Sequence, residues 1–203
     1  MKYVVIDLEM CEVPKMYRTE KYRYSRETIQ IGAVLLDDEL NEADSFMTYV
    51  KPQYGLISPF IQKLTGISKK DVSTAPKMRE ALKNFIDWLP EDVTLVSWSD
   101  SDQMQLCKEI ESKQIEFDGI EKLNDSWLDC QIKFSEIIKN PKAYKLVDAM
   151  NLSDIFYDDN IHDGLVDAKN TALLFKKMMT EKEYQFNKYY MGFADEEAGR
   201  IGA

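Results

Sequence analysis

The order of apolar patterns along the chain restricts its fold more than any other feature of the sequence. Strand-like runs rich in Val, Ile and Leu come first, and helical periodicity then alternates with shorter strand-like runs. The expected strands are 2–8, 29–37, 45–51 and 93–98, with a possible fifth at 127–130. The expected helices are 59–64, 76–88, 102–113, 131–139, 146–156 and 166–179. This order is typical of an α/β fold.

Length and composition indicate one domain. A chain of 203 residues can bury a substantial core. We expect residues 1–180 to form this domain and residues 181–203 to form a helical or disordered tail. No apolar run is long enough to span a membrane, and because the first expected strand begins almost at Met1, we expect no signal peptide. Because the three cysteines lack zinc-ligand spacing, we expect free thiols and a cytoplasmic protein.

The formal net charge of −10 argues against a protein that coats long duplex nucleic acid, because Lys and Arg dominate that affinity. It does not exclude a nuclease, since divalent cations held by carboxylates reverse the local charge and can attract phosphate. The acidic runs 37–39, 158–159 and 196–197 are expected to be solvated, while Asp129 has no clear role.

Two acidic residues end the first expected strand. Asp7 and Glu9 follow the apolar run Val4-Val5-Ile6, and alternation along a strand places positions 7 and 9 on the same face. Two close carboxylates repel unless they share a proton or bind a cation, and a hard divalent cation is the usual partner. The pair is therefore a candidate metal site, although Asp-x-Glu alone also fits two solvated charges.

His162 and Asp167 form a second candidate pair. His162 is the only histidine of the chain and lies in a polar, glycine-containing loop just before the helix expected at 166–179. An imidazole in such a loop could take a proton from water near neutral pH. The alternative is an exposed loop histidine and an aspartate that only complements a helix N-terminus.

The fourth expected strand runs into a helix through Ser97-Trp98-Ser99-Asp100-Ser101-Asp102. A carboxylate at the end of a parallel strand faces the crevice in which open α/β sheets bind ligands. Asp100 and Asp102 both meet this condition, and either could instead cap the helix.

The segment 15–26 is basic and aromatic in an otherwise acidic chain. It contains Arg18, Lys21 and Arg23, interleaved with tyrosines at 17, 22 and 24. Basic groups and stacking rings are what a single nucleic-acid strand requires. We therefore treat these three basic residues as candidate substrate contacts, with a solvated loop as the alternative.

Taken together and in order, these motifs resemble those of the DEDD exonuclease superfamily. They are Asp7-x-Glu9, an aspartate after the fourth strand, and His162 shortly before Asp167. The histidine is typical of the DnaQ-like branch called DEDDh. Segment 27–34 resembles the second strand of that family, and Leu64-Thr65-Gly66-Ile67 resembles its characteristic turn. The resemblance spans about residues 2–179 and looks closest to exonucleases that trim histone-message and small-RNA ends, and to their bacterial relatives.

The resemblance implies a ribonuclease-H-like fold, a five-stranded mixed sheet with an antiparallel second strand and helices on both faces. It favours Asp102 over Asp100, because the family's ligand aspartate precedes an apolar helix residue by four positions, which is Leu106 here. It also implies that Asp7 bridges two ions, Mg²⁺ or Mn²⁺, and that Glu9, Asp102 and Asp167 complete the ligand set. Met10, Leu64 and Thr65 are expected to contact the substrate.

The implied reaction is removal of nucleotides from the 3′ end of a single strand of RNA or DNA, with release of nucleoside 5′-monophosphates. Two ions about 4 Å apart would bind the attacking water and stabilise the leaving 3′ oxygen, while His162 takes the proton of the water. Two other functions fit the same fold: a nucleic-acid-binding or regulatory module without turnover, and a phosphodiesterase for small nucleotides. The retained acids and histidine argue against the first.

Overall fold

The chain forms a five-stranded mixed sheet flanked by helices, in a computed structural model that describes residues 2–125, 127–158, 160 and 162–190. The strand order is β3-β2-β1-β4-β5, with β2 antiparallel to both neighbours and β4 and β5 parallel to β1. The strands are β1 (Lys2–Glu12), β2 (Arg26–Leu36), β3 (Glu42–Tyr49), β4 (Val93–Ser97) and β5 (Trp127–Asp129). The predicted fold class is confirmed, including the short fifth strand.

The helices follow the predicted order. They are α1 (Pro59–Thr65), α2 (Lys69–Ser73), α3 (Met78–Trp88), α4 (Ser101–Ser112), α5 (Lys122–Asp125), α6 (Cys130–Ile138), α7 (Leu146–Leu152) and α8 (Gly164–Thr180). The short helices α2 and α5 were not expected. Asp129, which had no clear role in the sequence, caps α6 by accepting a hydrogen bond from the Ile132 amide at 2.8 Å. None of the helices within the described ranges is long and apolar enough to cross a membrane.

The alternating side chains of β1 separate the core into two layers. Val4, Ile6 and Leu8 pack on one face of the sheet with residues of α3 and α4. Val5 lies on the opposite face, in the layer that α6, α7 and α8 cover. Positions 7 and 9 continue the register of Val5. The strand therefore carries its two acidic residues on the α8 side of the sheet.

A difference in length between β1 and β4 opens the sheet at one end. The two strands pair only from Lys2 with Val93 to Val5 with Val96, whereas β1 continues to Glu12. Beyond Val5, β4 no longer pairs with β1, and near the end of β1 Glu12 forms a single bridge with Leu56. The Leu8 amide, on the edge of β1 that faces β4, donates instead to Asp102 Oδ1 at 3.2 Å. The start of α4 thus lies beside the unpaired part of β1, where a crevice opens. It places the Asp102 carboxylate in this crevice.

The predicted tail is only partly described. Tyr184 and Phe186 pack against the α6–α8 layer, where both rings contact Phe134 edge-on. The Tyr184 hydroxyl also lies 2.7 Å from the hydroxyl of Ser153. Residues 191–203, with the acidic run 196–197, and also Asp159 lie outside the described residues.

Candidate active site

A cavity of about 400 Å³ lies where β1 extends past β4. Its walls come from β1, α1, the turn between β4 and α4, and the segment that leads into α8. The acidic residues that line it are Asp7, Glu9, Glu12, Asp102 and Asp167, and His162 lines it as well. The structure therefore brings together all five residues that the sequence indicated as catalytic.

Asp7 and Glu9 reach this cavity from β1, where both positions pair with β2. Only 8% of the Glu9 surface is exposed, and burial, followed by the charges of Asp167, Asp163 and Asp102, raises the pKa of Glu9 to about 8. Burial also raises the pKa of Asp7 well above its usual range, with Asp102, Asp167 and Glu9 adding repulsion. Without a cation, the Glu9 carboxyl group therefore tends to hold its proton near neutral pH, and Asp7 binds its proton more tightly than an exposed aspartate does.

Asp102 and Asp100 have different environments. Asp102 is 5% exposed, and burial raises its pKa to about 7, although the hydrogen bond from Leu8 acts in the opposite direction. Asp100 is exposed and occupies the N-cap position of α4 without making a side-chain capping bond. The structure brings Asp102 into the cavity lining and leaves Asp100 outside it.

His162 and Asp167 are held together by the backbone. The His162 amide donates to Asp167 Oδ2 at 2.9 Å, and His162 itself has a left-handed backbone with φ of 70°. Its side chain is exposed. A nitrogen of the imidazole and carboxylate oxygens of Glu9 and Asp167 lie within 4.8 Å of one another. Burial raises the pKa of Asp167, and the His162 amide partly counteracts this effect.

The N-terminus of α8 is fixed against β2 by contacts that sequence reasoning missed. Gln30, which is buried, accepts a hydrogen bond from the Gly164 amide at 2.8 Å and donates to Asp163 at 3.3 Å. Asp163 in turn caps α8 by accepting from the amides of Leu165 and Val166. A Cβ atom at Gly32 would lie 2.2 Å from the Gly164 carbonyl carbon. This close packing determines where α8 presents Asp167.

The expected substrate contacts divide into two groups. Met10 and Leu64 line the cavity, together with Phe60 and Trp98, which were not among the expected contacts. Phe60 is 64% exposed one helical turn before Leu64, and this pair of apolar residues on α1 was the available signal. Thr65 is not part of the lining. Its buried hydroxyl donates to the Ile61 carbonyl at 3.0 Å and accepts from the Ile67 amide at 3.1 Å, so it shapes the turn.

The basic segment between β1 and β2 lies mostly outside the cavity. Arg18, Lys21 and Arg23 do not line it, and Arg18 Nε donates to the Val13 carbonyl at 3.0 Å. The expectation that Tyr22 offers a stacking ring was wrong. Tyr22 is fully buried, stacks on Tyr54 and donates its hydroxyl to the Arg26 carbonyl at 2.6 Å. Arg26, at the end of the segment, does line the cavity.

A buried charged cluster supports the wall behind the cavity. Lys113 Nζ lies 2.7 Å from a Glu27 oxygen and 2.6 Å from a Glu109 oxygen, and both acids are fully buried. Glu109 also accepts from the Thr28 amide at 2.7 Å, which joins α4 to β2. Glu27 accepts from three successive amides at 53–55. The cluster therefore fixes α4, which carries Asp102, to the sheet.

The chain is similar to known exonucleases over most of its length. A family model described as Exonuclease matches residues 4–175. Human ERI1 exoribonuclease 2 is 30% identical over 202 residues, which cover 88% of this chain and 28% of that protein. Human 3′-5′ exoribonuclease 1 is 26% identical over 171 residues, covering 78% of this chain and 48% of that protein. The chain thus spans less than two thirds of the length of these curated relatives.

A solved structure supports the same relationship. The nuclease domain of 3′hExo, described as a DEDDh family member bound to rAMP, superposes with a TM-score of 0.74 at 25% identity. The superposition covers 92% of this chain and 96% of that domain. Since the family model also covers most of the chain, the chain belongs to the exonuclease family, in its DEDDh branch of 3′–5′ exonucleases.

Proposed function

We propose that the protein is a metal-dependent 3′–5′ exonuclease that hydrolyses single-stranded RNA or DNA from the 3′ end and releases nucleoside 5′-monophosphates. The observation that carries this proposal is the convergence of Asp7, Glu9, Asp102 and Asp167 on one cavity with the only histidine of the chain. These side chains come from β1, α4 and α8, so no local surface pattern explains their proximity.

The donor set fits divalent metal ions. Carboxylate oxygens are the ligands that Mg²⁺ and Mn²⁺ prefer, and the pKa values of all four carboxyl groups are raised mainly by burial. A bound cation would offset this unfavourable burial of negative charge. Asp7, Glu9, Asp102 and Asp167 would hold these ions, two in this proposal. When bound, such ions supply charge stabilisation at the phosphate and make a water molecule more acidic.

His162 is the proton acceptor in this proposal. Its exposed side chain can take the proton of the water that attacks phosphorus, while the bond between phosphorus and the 3′ oxygen breaks. The hydrogen bond from its amide to Asp167 keeps the imidazole beside the acidic cluster. The same proximity would also suit a metal ligand, and His162→Ala separates the two roles.

The apolar wall of the cavity suits the terminal nucleoside. Met10, Phe60, Leu64 and Trp98 lie along the cavity beside the acidic cluster. Aromatic and aliphatic side chains of this kind stack against a base without selecting its identity. The rAMP bound to the 3′hExo nuclease domain supports a nucleotide-sized subsite in this branch.

The direct test is a time course with end-labelled oligonucleotides. RNA and DNA, single-stranded and duplex, should be incubated with Mg²⁺, Mn²⁺ or EDTA. We expect stepwise shortening of 5′-labelled single strands with either metal, no reaction in EDTA, and nucleoside 5′-monophosphates as products. Internal cleavage, or equal activity in EDTA, would contradict the proposal.

One observation favours a second candidate, a phosphodiesterase for small nucleotides. Arg18, Lys21 and Arg23 do not line the cavity, so they offer no contact to a long strand at the site itself. A small ester would need only the acidic cluster and the apolar wall. Shortening of oligonucleotides in the same time course separates the two candidates.

A further inference from the structure

Arg26 contributes a positive charge to a cavity whose other charged groups are mainly acidic. Among the described residues that line it, five are acidic, and Arg26 is the only one with a permanent positive charge. Metal ions held by Asp7, Glu9, Asp102 and Asp167 would neutralise the charge of the phosphate that reacts. They would not neutralise the next phosphate of a nucleic-acid strand, which needs a cation further along the cavity.

The guanidinium of Arg26 is available for a ligand. The side chain is exposed and makes no hydrogen bond or ion pair with any residue in the described part of the chain. Arg26 pairs directly with Glu12 across the β1–β2 ladder, yet the two side chains form no salt bridge. A planar guanidinium can bind phosphate through two parallel hydrogen bonds.

The backbone of Arg26 is fixed although its side chain is free. The Arg26 carbonyl accepts hydrogen bonds from the Tyr22 hydroxyl at 2.6 Å and from the side-chain amide of Gln105 at 3.2 Å. Both donors are buried, and Gln105 also donates to Glu109 at 2.8 Å. The buried cluster of Glu27, Glu109 and Lys113 therefore anchors the root of this side chain. Such anchoring lowers the entropic cost of placing the guanidinium on a ligand.

The distance between Arg26 and the acidic cluster along the sheet suits a contact with a neighbouring phosphate. Its partner Glu12 lies three residues beyond Glu9 on β1, which corresponds to about 10 Å along the strand. A flexible arginine side chain can cover part of this separation. The guanidinium can thus reach the next phosphate on the 5′ side of the reacting one, which is the 5′ phosphate of the penultimate nucleotide.

We propose that Arg26 binds the phosphate on the 5′ side of the scissile linkage, and so gives the site its preference for a polynucleotide end over a mononucleotide ester. This inference rests on the proposed exonuclease function. The contact involves a second phosphate, which a small phosphodiester lacks. Arg26 would therefore distinguish a polynucleotide end from a small ester.

The test compares two substrates in three variants. A single-stranded 5′-labelled oligonucleotide has the additional phosphate, whereas the p-nitrophenyl ester of thymidine 5′-monophosphate has only the reacting one. We expect Arg26→Met to lower kcat/KM for the oligonucleotide by about 10–100-fold, the range for a hydrogen bond to a charged group. Hydrolysis of the ester should be unchanged, which also shows that the variant is folded. Arg26→Lys should lose less, because it keeps the charge without the planar fork.

Arg79 provides the matched control. It lies on α3, where its guanidinium donates to the Glu116 carbonyl at 3.0 Å, and Arg79→Met should leave both reactions unchanged. Oligonucleotide binding should be measured at several salt concentrations, with Ca²⁺ in place of the catalytic ion. Arg26→Met should lower the salt slope by about one unit, and Arg26→Lys should keep it.

The outcomes separate this inference from the proposed function. If wild type shortens oligonucleotides and Arg26→Met does so equally well, the inference is overturned and the proposed function stands. Equal losses on both substrates would also overturn it, because Arg26 would then act through the catalytic centre. A wild type that cleaves only the ester, or neither substrate, overturns the proposed function and this inference with it.

Discussion

At the scale of single residues, the site is a group of carboxyl groups whose burial is unfavourable until a cation binds. Burial raises the pKa of Glu9 to about 8 and that of Asp102 to about 7. Asp7 and Asp167 also have raised pKa values. Residues with such shifts, gathered from separate elements, are typical of functional sites rather than of solvated surfaces.

Removing any one of these carboxylates should abolish most turnover without unfolding the protein. We expect Asp7→Asn, Glu9→Gln, Asp102→Asn and Asp167→Asn each to lower kcat by at least about 10²–10³-fold, since metal ligands contribute several kcal/mol. Asp100→Asn is the matched control for Asp102→Asn, because Asp100 lies two residues away and is exposed. If Asp100→Asn lost activity and Asp102→Asn kept it, the choice between these aspartates would be wrong.

His162→Ala separates proton transfer from metal binding. Loss of a general base typically lowers the rate on the order of 10²–10⁴-fold, and the acid limb of the pH–rate profile should disappear with it. Single-turnover rates across pH at saturating Mg²⁺ measure both effects. Metal affinity and oligonucleotide binding in Ca²⁺ should be retained. A fall in metal affinity that accounts for the lost rate would identify His162 as a ligand instead.

At the scale of elements, the site depends on how two glycines let α8 approach β2. A Cβ atom at Gly32 would lie 2.2 Å from the Gly164 backbone, and one at Gly164 would lie 3.1 Å from the Asp7 carbonyl oxygen. Gln30 and Asp163 add the hydrogen bonds that align the helix. His162 and Asp167 lie on either side of this joint in the sequence. Their positions relative to Glu9 therefore follow from backbone packing beside Asp7, which pairs with Gly32.

Gly32→Ala tests the importance of this joint. The added methyl group would lie 2.2 Å from the Gly164 backbone, so the start of α8 must shift. A misplacement of about 1 Å costs on the order of 10²-fold in rate, while overpacking costs about 1–3 kcal/mol of stability. We expect kcat to fall with oligonucleotide binding retained, as measured by steady-state kinetics and by anisotropy in Ca²⁺.

Gly119→Ala is the control for Gly32→Ala. Gly119 has a φ of 94°, so alanine is strained there as well, but the residue does not line the cavity. This variant should lose stability and keep the kcat of wild type. Comparable kcat in the two variants would show that the β2–α8 contact does not set the catalytic geometry.

The features of the fold that depend on local periodicity could be predicted from the sequence. Alternation along β1 correctly placed Asp7 and Glu9 together, and the apolar patterns gave the order of strands and helices. The buried cluster could not be predicted in this way, because Glu109 and Thr28 are 81 residues apart and meet only in the folded chain. Tyr22 was misjudged for the same reason: its basic neighbours suggested a surface loop, whereas its ring packs on Tyr54.

At the scale of the whole molecule, the acidic cavity should make stability depend on pH and metal. In an unfolded chain, carboxyl groups titrate with pKa values near 4. The folded protein holds the Glu9 proton up to a pKa of about 8 and that of Asp102 up to about 7. Between the unfolded pKa values near 4 and the folded pKa of Glu9 at about 8, the folded state binds more protons than the unfolded state. The free energy of unfolding therefore decreases as pH rises through this range.

We therefore expect the melting temperature of the metal-free protein to fall between pH 5 and pH 8. At pH 8, Glu9→Gln should melt several degrees above wild type, at about 2–4 °C per kcal/mol for a protein of this size. The two should melt together at pH 5, where Glu9 is protonated. Saturating Mg²⁺ at pH 8 should stabilise wild type more than the variant. Thermal melts in EDTA and in Mg²⁺ measure these differences, and a wild-type melting temperature that rises toward pH 8 in EDTA would contradict them.

The left-handed backbone of His162 has a consequence for making an inactive form of the protein. Alanine at φ of 70° would keep the crowding of its Cβ atom, roughly 1–2 kcal/mol, without a polar group to offset it. Asparagine adopts this region readily. His162→Asn should therefore be as inactive as His162→Ala but melt at a higher temperature, as differential scanning calorimetry can measure. It would be the better reagent for trapping strand ends, whether for cross-linking of bound nucleic acid or for co-crystallisation with an intact oligonucleotide.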